Sequence, residues 1–116
     1  MITLDPAHPS GPAEQIRAQL AAMIQSGELA ADARLPTVRQ LAGDLRVAAG
    51  TVAKAYKELE TAGLVRAGRA NGTRVNPGQV LDVPLLKEVR ALTGKARSAG
   101  LNLDELQRLV AAAWKS

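Results

Sequence analysis

Residues 37–63 read Thr37-Val38-Arg39-Gln40-Leu41-Ala42-Gly43-Asp44-Leu45-Arg46-Val47-Ala48-Ala49-Gly50-Thr51-Val52-Ala53-Lys54-Ala55-Tyr56-Lys57-Glu58-Leu59-Glu60-Thr61-Ala62-Gly63. Thr37 and Gln40 stand at the spacing of a capping box: the threonine oxygen accepts the N–H three residues on, and the glutamine reaches back. A short helix should follow, with Val38, Leu41, Ala42 and Leu45 on its apolar face. A turn at Arg46-Val47-Ala48 then leads into a second helix from about Ala49 to Ala62. Gly63 stops it, as a favourable C′ residue. At about 100° per residue, Val52, Ala55, Tyr56 and Leu59 share one narrow sector, the expected core face. The opposite side carries Gly50, Lys54, Lys57 and Thr61, with Ala53 at its edge.

Outward from this pair, residues 1–11 form a leader with Pro6, Pro9 and Gly11 that is expected to be extended. Pro12 suits the first turn of a helix, where a missing N–H costs nothing. Ala13, Ile16, Leu20, Met23 and Ile24 recur at helical spacing, and Ser26-Gly27 ends the run, with Leu29 placed to fold back. Residues 30–36 read as a loop closed by Leu35-Pro36. On the other side, Leu64–Ala67 and Thr73–Val75 bracket Gly68-Arg69-Ala70-Asn71-Gly72. That pattern predicts a β-hairpin with a glycine-flanked loop, presenting Arg69 and Arg74. Asn76-Pro77-Gly78 breaks the chain, so two parts are expected, residues 1–78 and 79–116.

The second part reads as two helices. Asp82 caps the first, which carries Leu85, Leu86, Val89, Leu92 and Ala96. Asn102 and Glu105 form a second capping box, with Leu101 and Leu106 at the staple positions. The apolar face beyond is Leu103, Leu106, Leu109, Val110, Ala113 and Trp114. Two helices of this size cannot bury that much apolar surface alone. They must pack on the first part or pair with a second chain.

Composition excludes several classes. The chain has 116 residues, no cysteine and one histidine, His8. Disulfides, zinc ribbons and thiol catalysis are thereby excluded, and neither a metal nor a cofactor is expected. There are no paired carboxylates or nucleophile–base pair to suggest an enzyme. No apolar run approaches the ~20 residues that cross a membrane, and no export signal opens the chain, so a cytoplasmic protein with no membrane partner is expected. The formal charge of +4 is uneven. Residues 1–33 set Arg17 against Asp5, Glu14, Glu28 and Asp32. Residues 34–74 set eight arginines and lysines against Asp44, Glu58 and Glu60. A basic middle beside an acidic flank suits an anionic partner.

Helix, helix, turn, helix and basic hairpin is the layout of a winged helix-turn-helix, here mainly α with a small β-hairpin and followed by a two-helix tail. A helix fits the major groove of DNA, and its exposed N-terminal residues reach base edges. A hairpin with a glycine tip can approach phosphates or the minor groove. Residues 13–75 also resemble the DNA-binding domain of GntR-type bacterial transcription regulators. The matching words are Glu14-Gln15-Ile16, Ser26-Gly27-Glu28-Leu29, Arg34 through Ala42, Thr51-Val52, Ala55 through Glu60, Gly63-Leu64-Val65 and Gly72 through Val75. The short tail resembles that of the YtrA-like subfamily.

The resemblance implies a dimer held by the tail helices, through Leu85, Leu86, Val89, Leu92, Leu103, Leu106, Leu109, Val110 and Trp114. It implies DNA contact by Arg39 at the start of the first quoted helix, by Thr51 near the start of the second, and by Gly72 with Asn71 at the wing tip. Arg46, Ala49, Gly50, Ala53, Lys54, Lys57, Arg69 and Arg74 complete the expected DNA-binding set. The family usually reads Gly-Val-Ser-Arg-Asn-Thr-Val-Arg where this chain has Arg46 through Ala53. Ala48 removes a hydroxyl N-cap, worth ~0.5–2 kcal/mol. Ala49 and Ala53 replace arginines, Gly50 replaces a polar residue, and Arg46 stands where a glycine would accept positive φ. Three readouts remain open: alanine methyls against thymine methyls, phosphate contacts by Arg46, Lys54 and Lys57, or weak binding by charge and shape.

The expected function is a dimeric DNA-binding transcription regulator, a repressor on a palindromic double-stranded operator. The resemblance points to control of a nearby operon, with ABC-transporter genes as one association. The alternative is a winged-helix protein-interaction module with weak or non-specific DNA binding. No large effector domain is expected. A small-molecule effector, unidentified, is expected between the tail helices and the winged domain, near Trp114.

Overall fold

A computed structural model describes residues 2–68, 72–80 and 83–116. Its elements are α1 (Pro12–Gln25), α2 (Val38–Leu45), α3 (Ala49–Thr61), β1 (Val65–Gly68), β2 (Gly72–Val75), α4 (Val83–Ser98) and α5 (Leu103–Trp114). They fall into two compact units, residues 1–80 and 81–116. Among the described residues, no helix is long and apolar enough to cross a membrane.

In the first unit, α3 packs against both α1 and α2 and leads into β1. Ile16, Leu20 and Ile24 of α1 meet Val52 and Leu59 of α3 and Val75 of β2, all out of solvent. Val52, Ala55, Tyr56 and Leu59 are buried, while Gly50, Ala53, Lys54, Lys57 and Thr61 are exposed, as the helical periodicity of α3 requires. Both halves of the Thr37–Gln40 capping box form: Thr37 Oγ1 accepts the Gln40 N–H at 3.1 Å, and Gln40 Oε1 accepts the Thr37 N–H at 2.9 Å. Arg46 ends α2 in the left-handed region at φ 57°, a conformation that glycine adopts freely and other residues at a cost.

The leader is more tightly held than an extended lead-in would be. Ile2 is buried in the core. Gln19 accepts the Thr3 N–H at 3.0 Å and donates to the Thr3 carbonyl at 2.8 Å. Gln15, one turn earlier, treats Asp5 the same way at 2.8 and 3.0 Å. Two primary amides one helical turn apart thus stand in for the edge of a strand.

Residues 30–36 are also more than a loop. Asp32 donates its N–H to Val75 at 2.8 Å, Val75 donates to Ala33 at 2.9 Å, and Leu35 donates to Thr73 at 2.9 Å. Arg34 forms an antiparallel bridge with Arg74, adding a short third rung beside the two-stranded sheet. Within the hairpin, Val65 faces Val75, Arg66 faces Arg74, and Gly68 faces Gly72. The first strand begins one residue later than the sequence suggested, because the Leu64 N–H still bonds to Leu59 at the end of α3, at 3.0 Å.

The second unit is a helical pair. Asn102 Oδ1 accepts the Glu105 N–H at 2.8 Å, and Glu105 Oε1 accepts the Asn102 N–H at 3.0 Å, so the second capping box is complete. Among its described side chains only that of Ala96 is buried, and Leu86, Leu101 and Leu106 are half-buried. The expected cap at Asp82 lies outside the described residues.

Candidate nucleic-acid interface

The site is built on the α2–turn–α3 pair. With α2 fixed at its start by Thr37 and Gln40, Arg39 stands exposed in the first turn. The αL turn at Arg46 then aims the chain into α3. Ala48 occupies the N-cap position without a side-chain hydrogen bond, and only its carbonyl is engaged, accepting the Thr51 N–H at 3.0 Å. Ala49, Gly50, Ala53, Lys54 and Lys57 are exposed and Thr51 is half-buried. Gly50, Thr51 and Lys54 share an open cleft of about 420 Å³ with Gly11, Pro12 and Glu14 at the start of α1.

The core side of α3 is tied down chemically as well as by packing. Tyr56 donates its hydroxyl to the Pro36 carbonyl at 2.7 Å. Burial pushes the Tyr56 pKa up to about 12, so the neutral donor is the form present. On α1, Arg17 binds Glu14 at 2.6 Å and reaches Glu58 of α3 at 4.0 Å. The hydrogen bond from Arg17 holds the Glu14 carboxyl below its usual range, and the same bond raises the arginine. Arg17 is thereby spent inside the acidic flank.

The wing divides its charges differently from expectation. Asp32 takes a positive φ of 65°. Its carboxylate accepts from Arg66, and its carbonyl accepts from Arg74 Nη1 at 2.8 Å. Arg66 also donates to the Val75 carbonyl at 3.1 Å and to Asn76 Oδ1 at 3.2 Å. Arg66 and Arg74 are directly opposed across the hairpin, and like charges so placed repel. Asp32 sits where it offsets that repulsion. Arg74, in the expected DNA-binding set, is half-buried and engaged in this wing structure. Gly72 opens β2 at φ 67°. Arg69 and Asn71 lie outside the described residues.

Among the described residues of the first unit, Arg34, Arg39, Arg46 and Lys54 are exposed cations with neither an ion pair nor a side-chain hydrogen bond. Lys57 lies 3.6 Å from Glu60 and is largely open to solvent, a pairing that holds a lysine only weakly. Sequence reading omitted Arg34 and Asp32 from the site. Neither lies on a periodic helix, and their partners are distant in the chain.

Comparison with known proteins agrees with this geometry. Residues 12–75 match the model of the family described as bacterial regulatory proteins, gntR family. The chain is 39% identical over 95 residues to the HTH-type transcriptional regulator Rv1152 of Mycobacterium tuberculosis, covering 82% of this chain and 78% of that protein. It is 31% identical over 116 residues to the HTH-type transcriptional repressor YtrA of Bacillus subtilis, covering 95% and 89%. Among solved structures, YtrA from Sulfolobus acidocaldarius, a GntR-family transcription factor, superposes with a TM-score of 0.61 at 28% identity, covering 84% of this chain and 97% of that one.

Proposed function

The chain belongs to the gntR family of bacterial regulatory proteins, as a DNA-binding transcription regulator and not an enzyme, and from that premise we propose that it acts as a dimeric repressor of a nearby operon. The observation that carries this reading is the exposed outer side of α3 with Lys54 on it, together with the exposed Arg39 and Arg46 of the α2–turn segment, none of which makes an ion pair among the described residues. Two copies of α3 related by a two-fold axis would occupy successive major grooves of a palindromic site. The tail supports the dimer, since its leucine-rich faces are open to solvent in a single chain. Repression rests on similarity to a relative named as a repressor. A protein seated on an operator that overlaps a promoter blocks polymerase without further chemistry.

One feature favours a second reading. Ala48, Ala49 and Ala53 offer no hydrogen-bonding side chain at the start of α3, which suits a protein-interaction module with weak DNA binding. Fluorescence anisotropy with the gene's own upstream DNA and a scrambled duplex, at two salt concentrations, separates the two. The repressor reading expects tight upstream binding, with scrambled DNA at least ~10³-fold weaker. Equal, weak binding to both duplexes favours the interaction module.

A further inference from the structure

The wing contains a cation that neither strand of the hairpin supplies. Arg34 comes from the segment ahead of α2 and bridges to Arg74 along the backbone. Its guanidinium lies over Gly72. A Cβ built on Gly72 would stand 2.9 Å from Arg34 Nε, 3.2 Å from Nη2 and 3.4 Å from Cζ. The first of these is closer than a Cβ approaches another heavy atom, so any side chain at Gly72 would make the guanidinium shift from this position. The positive φ of Gly72 independently favours glycine. Arg34 also lines an open groove of about 790 Å³ with Pro36, Asp44 and the pair Thr37 and Gln40, which cap the helix carrying Arg39. Arg34 thus sits between the start of β2 and the start of α2, exposed and without an ion pair among the described residues.

Resting on the DNA-binding reading above, we propose that Arg34 is a phosphate contact of the wing. The wing's strand arginines are committed elsewhere: Asp32 engages Arg66 through its carboxylate and Arg74 through its carbonyl. Among the described residues a third cation, Arg34, is presented by a neighbouring rung beside Gly72. A guanidinium is suited to phosphate oxygens because its planar fork donates two parallel hydrogen bonds and stays charged at every accessible pH. A phosphate contact carries no base information, so Arg34 adds affinity and fixes the wing's register without choosing the sequence.

The test compares the native protein with Arg34→Ala and Arg34→Lys on upstream and scrambled duplexes across a salt series. Arg108→Ala, which removes an arginine from the tail, controls for net charge. Arg34→Ala should lower affinity roughly three- to tenfold at the lowest salt on both duplexes. Its log–log salt slope should be shallower by about 0.9, so the gap to the native protein narrows about threefold for a fourfold rise in salt. Arg34→Lys should keep most of the slope, Arg108→Ala should keep all of it, and the melting temperature of Arg34→Ala should match the native one. A steep native slope that Arg34→Ala leaves unchanged overturns this assignment alone, as does a loss confined to one duplex, which would mark a groove contact. A native protein whose binding ignores salt brings down the DNA-binding reading itself.

Discussion

The hydroxyl of Tyr56 donates to the carbonyl of Pro36 across 2.7 Å, tying the core face of α3 to the residue before the cap of α2. Burial pushes the Tyr56 pKa up to about 12, against an ordinary value near 10. The folded chain therefore holds this proton more tightly than the unfolded one. The stabilisation is fully present below about pH 10 and is lost as pH rises from there through about 12. Tyr56→Phe should cost ~0.5–1.5 kcal/mol at neutral pH and should remove this part of the alkaline loss. Urea unfolding of both proteins at neutral and alkaline pH measures it. Because Tyr56 is the sole tyrosine, tyrosinate absorbance reads its titration directly, and a native midpoint near 10 would contradict the argument.

Gly50 stands in the first turn of α3, and a Cβ added there would meet nothing within 4 Å. Its φ is not in the left-handed region, so the fold has no steric use for a glycine at this position. Gly50→Ala should raise stability by roughly 0.5–1 kcal/mol through backbone entropy. It should also weaken operator binding, because the remaining use of a bare Cα on this exposed face is close approach to a ligand. Chemical denaturation and anisotropy on the same sample decide both halves. Equal DNA affinity would show that the glycine serves no approach.

What could be read from the sequence was what local rules determine. Both capping boxes, the core sector of α3, the αL turn at Arg46 and the split between core and exposed sides follow from spacings within one or two helical turns. What escaped depends on separation in the chain. The bond from Arg74 to Asp32 spans 42 residues, and that from Gln19 to Thr3 spans 16. No periodicity marks a loop arginine that acquires a strand partner on folding, so Arg34 read as part of a charge sum and not as part of the wing. The hydrogen bond from Arg74 to Asp32 was invisible for the same reason.

Arg39 offers a test in which folding and binding separate cleanly. Its side chain is exposed and makes no ion pair among the described residues, so Arg39→Ala should melt with the native protein. Operator affinity should nevertheless fall, by ~1–3 kcal/mol if the guanidinium reads a base. Thr37→Ala is the informative companion. It removes the oxygen that accepts the Gln40 N–H and should cost ~0.5–2 kcal/mol of stability, with a smaller loss of binding through misplacement of Arg39. Unchanged binding by Arg39→Ala would remove this residue from the interface.

The exposed apolar residues of the tail support the proposed dimer. On α4, Leu85, Val89 and Leu92 are 52%, 47% and 44% exposed; on α5, Leu103, Leu109, Val110 and Trp114 are 68%, 55%, 47% and 88% exposed. Fully burying one leucine contributes about 1.5–3 kcal/mol, so burying several such side chains against their copies would work against the cost of association. Leu109→Glu should barely alter the folding of an isolated chain, since the side chain is already in water. In a dimer the same change removes a buried leucine and places a carboxylate in an apolar seam, which should weaken association at least tenfold. Sedimentation velocity across a dilution series measures that directly. DNA completes the logic. Binding to a duplex with two half-sites should fall with the dimer, while binding to a single half-site should stay near the native level. A native chain that sediments as a monomer at micromolar concentration would refute the paired arrangement. Each winged unit would then have to find its site alone.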